Sequence, residues 1–192
     1  MMSAATRTTR VPWPEGGVRK ALFLDRDGVI NANHGYVHRA QDTEWVPGIF
    51  ELGREALARG FELIIVTNQA GIARGFYSEQ SFRDYTHWMH AQFEREGAPV
   101  LATYHCPHHP TAGQGVYLAQ CACRKPAPGM LLRAQADWDL DLAASLLVGD
   151  QPSDLQAARA AGVGDAVRVG LMDLSPARAR VQAWAPTGSA PR

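Results

Sequence analysis

The chain has 192 residues, 46% of them hydrophobic and 20% charged, with 19 basic and 19 acidic side chains and a formal net charge of zero. These proportions suit one α/β domain with a sizeable core, and the balanced charge argues against a surface that tracks nucleic acid. No stretch approaches the roughly 20 apolar residues of a membrane span, no apolar run of signal-peptide length follows Arg7, Arg10 and Arg19, and Cys106, Cys121 and Cys123 do not form a disulfide framework; a cytoplasmic protein is expected.

Residues 1–18 carry Thr, Pro and Gly without periodicity and read as a flexible arm. Ala21–Leu24 is an uninterrupted apolar run, as a strand buried on both faces requires. It leads into Asp25 and Asp27, which share one face of an extended chain, and Gly28 lets the backbone turn away. Pro47 at a first helical position and Gly60 as a stop predict a helix, with Ile49, Phe50, Leu52, Ala56 and Leu57 on its buried face. A strand over Phe61–Val66 ends in Thr67-Asn68-Gln69, and Gly71 and Gly75 mark an irregular loop after it. Ser78 is the expected N-cap of a helix reaching to near Gly97.

Val100–Tyr104 is a third strand, followed by a loop rich in Cys, His, Pro and Gly. A helix over Gly129–Trp138, a strand at Ser145–Val148 ending in Gly149-Asp150, a short helix over Ser153–Ala161 and a strand at Ala166–Val169 complete the pattern. Residues 173–192 form a weakly specified tail. Strands alternating with helices predict an α/β, doubly wound, Rossmann-like parallel sheet over residues 19–172, with its site beyond the carboxyl ends of the strands.

Asp25, Thr67 and Asp150 each end a predicted strand, so this topology should bring them together. Two carboxylates ~4 Å apart repel by about 4 kcal/mol at an effective dielectric near 20. Asp25, Asp27 and Asp150 together therefore call for a cation, and oxygen ligands with room for water suit Mg²⁺. The Thr67 hydroxyl, the amides after it, Arg124 and Lys125 would cradle a phosphoryl group. One carboxylate can then attack phosphorus while its neighbour protonates the leaving oxygen and later activates water. Asp25, nearest the strand, is the expected nucleophile and Asp27 the acid/base; Asp154 is placed to orient neighbours or cap a helix. Taken singly, each of these residues also reads as a turn former, a surface charge or a cap; their joint order decides. Cys106-Pro107-His108 and Cys121-Ala122-Cys123 supply a tetrahedral set for structural Zn²⁺, although spacing does not choose among His105, His108 and His109.

Asp25-x-Asp27-Gly28, Thr67-Asn68, Arg124-Lys125-Pro126 and Gly149-Asp150-x-x-x-Asp154, in this order, resemble the haloacid dehalogenase superfamily of phosphotransferases over roughly residues 20–170. The resemblance implies Thr67 and Lys125 as phosphate ligands and Mg²⁺ on Asp25, Asp150 and the backbone carbonyl of Asp27. The Cys/His loop, His34-Gly35-Tyr36-Val37-His38 and the run from Thr67 to Gly75 narrow the likeness to the heptose 1,7-bisphosphate 7-phosphatases of lipopolysaccharide precursor synthesis. That likeness implies Zn²⁺ on Cys106, His108, Cys121 and Cys123. It also implies a substrate surface from Asp25, Arg26, Asp27, Asn33, His34, Gly35, Tyr36, Thr67, Asn68, Gln69, Ala70, Arg124, Lys125 and Gln151.

Gln151 stands where such proteins often carry Lys, and Asn33 where Asp is common. Histidinol-phosphate phosphatase, which shares the catalytic motifs and the Cys/His loop, is the rival reading; the segment from His34 to His38 favours the heptose one. A non-catalytic, zinc-stabilised sugar-phosphate binder is the rival of another class, but none of the acids is missing. Between Gly28 and Pro47 there is no room for a cap domain, and one helix, one strand and the Cys/His loop use up the stretch from Thr67 to Arg124. The expectation is an open-sited monomer acting on a small phosphorylated sugar, with no nucleic-acid or membrane partner.

Overall fold

The computed structural model describes residues 6–7 and 18–184. The chain runs through β1 (Thr6–Arg7), β2 (Lys20–Leu24), α1 (Ile49–Ala58), β3 (Phe61–Asn68), α2 (Ala70–Ala73), α3 (Glu79–Arg95), β4 (Val100–Cys106), α4 (Gly129–Trp138), β5 (Leu146–Gly149), α5 (Pro152–Ala161), β6 (Asp165–Arg168) and α6 (Ser175–Gln182). One sheet in the order β1-β4-β3-β2-β5-β6 holds all the strands of the described residues. β2 to β6 are parallel, and β1 pairs antiparallel on the β4 edge. Strand order reverses at β2, which puts the switch point of a doubly wound sheet at the end of that strand.

Ala21 to Leu24 have no accessible surface. Successive side chains of a strand point to opposite faces, so each residue of β2 serves one of two cores. Leu22 and Leu24 join Leu63, Ile65, Leu146 and Val148 beneath α1, α3 and α6. Phe23 joins Ile64, Val66 and Leu147 against α4 and α5. Helices on both faces explain why the strands read as continuous apolar runs.

Several boundaries differ from the sequence reading. Helix α1 begins at Ile49, because Gly48 adopts φ 84° as its N-cap, which leaves Pro47 outside. β3 runs on through Thr67 and Asn68, which pair with His105 and Cys106. The expected loop after it contains α2, whose Ile72 packs with Tyr77 and Phe82. Part of the expected tail is α6: Arg59 donates to the carbonyls of Val181 (2.8 Å) and Gln182 (3.1 Å), Arg178 pairs with Glu55, and Trp184 sits edge-on to Phe61. Residues 1–5 and 8–17 of the expected arm and 185–192 of the tail lie outside the described residues. No described helix is long and apolar enough to cross a membrane.

His90 on α3 is buried against the sheet, with Nε2 2.8 Å from the Thr103 hydroxyl. Burial, with a smaller contribution from His87, depresses its pKa to about 4. The folded protein therefore binds fewer protons here than the unfolded chain, so this contribution is complete above about pH 6.5 and is lost as pH falls toward 4. Unfolding free energy from urea titration should lose about 2 kcal/mol at pH 5 through this residue, and His90→Gln should flatten that slope.

Candidate active site

The carboxyl ends of β2, β3 and β5 converge on a cleft of about 440 Å³. Its walls include Asp25, Asp27, Thr67, Asn68, Gln69, Ala70, Lys125 and Asp150, with Asn33, Gly35, Tyr36, Arg124 and Gln151 around them. Two expected substrate residues stand elsewhere. His34 is exposed and pairs with Glu44 at 2.9 Å, and the Arg26 side chain is buried behind the cleft at 2% exposure.

Asp25 follows β2 directly, and its amide donates to the Val148 carbonyl at 2.9 Å. Lys125 Nζ reaches Asp25 Oδ1 (2.8 Å), Asp154 Oδ1 (2.6 Å) and the Val66 carbonyl (2.8 Å), so all three ammonium protons are engaged. Burial raises the Asp25 pKa to about 7, with Asp154 and Asp27 pushing the same way and Lys125 opposing. Burial works to lower Lys125, but the two carboxylates outweigh it and hold the ammonium charged. Asn68 positions this lysine: its side-chain amide donates to the Lys125 carbonyl and accepts from the Lys125 amide, both at 3.0 Å.

Asp25, Asp150 and Asp154 each offer a carboxylate oxygen within 4.8 Å of the others. Asp154 both caps and orients: Oδ2 accepts from the Gln151 amide at 2.9 Å in a capping box, while Oδ1 holds Lys125. Asp150 Oδ1 is buried with no hydrogen-bond partner, and burial raises this carboxyl's pKa. A buried carboxylate oxygen without a donor beside a second carboxylate suits a hard divalent cation. Gly28, at φ 95°, is the residue that fits here, since a Cβ would overlap the Asp150 carboxyl.

The Asp27 carboxylate lines the cleft but takes no part in that acidic group. Arg26 Nε and Nη2 grip it at 2.7–3.1 Å, Asn31 donates at 3.1 Å, and Gln69 Nε2 donates at 3.2 Å. Arg26 is fixed in turn by the Val37 carbonyl (2.6 Å) and lies over the rings of Tyr85 and Phe82. Gln69 also donates to Thr67 Oγ1 at 2.8 Å. Tyr77 lines the cleft too; an aromatic in a loop gave no signal of this in the sequence.

Cys106, His108, Cys121 and Cys123 bring three Sγ atoms and Nδ1 within 4.8 Å of one another, so this group could hold a metal ion. Five of the six ligand–ligand separations are 3.2–3.8 Å, against edges of roughly 3.5–3.8 Å for tetrahedral zinc with these donors. Hydrogen bonds, chiefly from Cys106, pull the Cys123 thiol down to about 5. Neither of the other two histidines belongs to this group: His105 is buried against Phe82, its Nε2 without a hydrogen-bond partner, and His109 Nδ1 accepts from the amides of Thr111 and Ala112. Arg124 Nη1 donates to the His108 carbonyl at 3.2 Å, which ties the cleft to the cluster. Lys125→Met, which strands Asp25 and Asp154, should lower the unfolding free energy by about 3–5 kcal/mol in urea titration without divalent cations.

A family model described as HAD-hydrolase-like matches residues 122–170. A D-glycero-alpha-D-manno-heptose-1,7-bisphosphate 7-phosphatase from Burkholderia mallei is 53% identical over 156 residues, 81% of this chain and 82% of that one. A D-glycero-beta-D-manno-heptose-1,7-bisphosphate 7-phosphatase from Escherichia coli is 46% identical over 149 residues, 78% of each chain. Among solved structures, the D,D-heptose 1,7-bisphosphate phosphatase of B. bronchiseptica, complexed with magnesium and phosphate, is 35% identical and covers 76% of this chain and 78% of its own, with a TM-score of 0.66. With this sheet, these strand-end acids and relatives of that identity and coverage, the chain belongs to the heptose-1,7-bisphosphate 7-phosphatase family of HAD-like hydrolases.

Proposed function

We propose that the protein is a Mg²⁺-dependent phosphatase that removes the 7-phosphate of D-glycero-D-manno-heptose 1,7-bisphosphate through an aspartyl-phosphate, as a step toward the heptose precursor of lipopolysaccharide. The observation that carries the reading is the single cleft shared by Asp25, Asp27, Thr67, Lys125 and Asp150. The names of the relatives favour the heptose substrate over histidinol phosphate.

With Oδ1 held by Lys125, Asp25 attacks phosphorus through Oδ2. The bond from phosphorus to the sugar oxygen breaks, and Asp27 gives its proton to that oxygen. Asp27 then takes a proton from the water that attacks the acyl phosphate, releasing inorganic phosphate and restoring the Asp25 carboxylate. Asp25, Asp150 and the Asp27 backbone carbonyl would hold Mg²⁺, which supplies positive charge to the transferring phosphoryl oxygens. Thr67 and the amides after it bind those oxygens, and Lys125 offsets their charge. Asn33, Gly35, Tyr36, Arg124 and Gln151, around the mouth, select the sugar in an uncapped site. Cys106, His108, Cys121 and Cys123 hold a structural zinc that keeps Arg124 and Lys125 in place.

Phosphate release with Mg²⁺ from both heptose bisphosphate anomers and from histidinol phosphate tests the substrate; turnover mainly of histidinol phosphate overturns it. Asp25→Asn should lose at least about 1,000-fold in kcat while its circular dichroism stays that of the wild type. Removing zinc with a chelator should lower the melting temperature by about 5 °C or more; an unchanged melting point in protein shown to be metal-free would refute the structural zinc.

A further inference from the structure

We infer that Tyr77 is a positioning residue for the acid/base carboxylate of Asp27, acting through the side-chain amide of Gln69; this rests on the role proposed above for Asp27. Tyr77 and Gln69 are 8% and 2% exposed. The Tyr77 hydroxyl donates to Gln69 Oε1, and the other end of that amide donates to Asp27 Oδ2 (3.2 Å) and Thr67 Oγ1 (2.8 Å). An amide carries its donors and its acceptor on opposite arms, so its sense matters here. Turned over, Gln69 would set an acceptor against the negative charge that develops on Asp27 as it gives up its proton. The tyrosine proton selects the useful sense, because without it Oε1 is a buried acceptor lacking a partner. Burial lifts the phenol to about 12, so the proton is present throughout the neutral range.

The ring is held for this purpose from two sides. It stacks on His38 with centroids 4.5 Å apart and planes at 14°, and His38 Nδ1 is fixed at 2.7 Å from the Tyr36 carbonyl. On its other flank lies Gly71, where a Cβ would overlap Cε1 and Cζ and stand 2.7 Å from the hydroxyl. A glycine inside a short helix is explained by this approach of a ring to the backbone.

A leaving-group comparison separates positioning from mere stability. A sugar alkoxide needs the Asp27 proton as the phosphorus–oxygen bond breaks, whereas p-nitrophenolate leaves without one. With Mg²⁺ present, Tyr77→Phe should lower kcat/KM for heptose 1,7-bisphosphate at least tenfold and for p-nitrophenyl phosphate less than twofold. Gly71→Ala, which displaces the ring with its hydroxyl intact, should give the same selective loss. In a Gln69→Ala background, adding Tyr77→Phe should change the sugar reaction less than twofold. Equal losses on both substrates, or a tenfold loss that persists without Gln69, overturn the inference. Asp27→Asn is run alongside: wild-type turnover of the sugar by that variant sinks the acid/base role itself. A sugar-selective loss in Asp27→Asn but not in Tyr77→Phe sinks only the positioning role.

Discussion

One buried ammonium holds the site together. Lys125 Nζ joins the carboxylate at the end of β2, the carboxylate in the first turn of α5 and a carbonyl of β3, so four chain segments meet on one cation. Removing three charged groups from water costs several kcal/mol each, and their attraction offsets this only with close geometry and every proton engaged. Both conditions are met here. Asp25 is consequently buried without being silenced: burial drives its carboxyl toward protonation and the lysine draws it back.

Rigid supports surround that core of charge. Asn68 grips the backbone of Lys125 much as a neighbouring strand would, with one donor and one acceptor. The Cys/His group anchors the same loop from the other side through Arg124 and His108. Behind the cleft, Arg26 reaches Asp27 from between aromatic rings, which explains a nearly inaccessible guanidinium beside a solvent-facing site. Arg26 and the Cys/His group brace the cleft without lining it, while Asn68 and Arg124 also form part of its wall. They make the reacting groups stay put.

Much of this was legible in the sequence. β2 and the acids after it were readable because a strand covered by helices on both faces is apolar throughout and then stops abruptly at charge. The strand-end positions of Thr67 and Asp150 followed from alternating strands and helices. What escaped had weak local signals. α6 buries only Ala177 and Val181, four residues apart among Arg, Ser and Gln, and is held largely by Arg59 and Glu55 of distant segments. The extension of β3 through Thr67 and Asn68 depends on pairing with β4 rather than on side-chain type. His34 shares a turn-forming stretch with Asn33 and Tyr36, and only the folded loop directs it toward Glu44.

Gly149 sets a boundary on what this scaffold can become. Its missing side chain makes room for Asp154, whose carboxyl carbon would lie 2.6 Å from any Cβ there. The last residue of β5 therefore has no freedom to vary while the lysine keeps both of its acids. Asn33 and Tyr36, at the mouth, stand outside the hydrogen bonds and ion pairs that join Lys125 to Asp25 and Asp154. Retargeting such an enzyme to another phosphorylated compound is a matter of rebuilding that rim, with the machinery beneath left as it is.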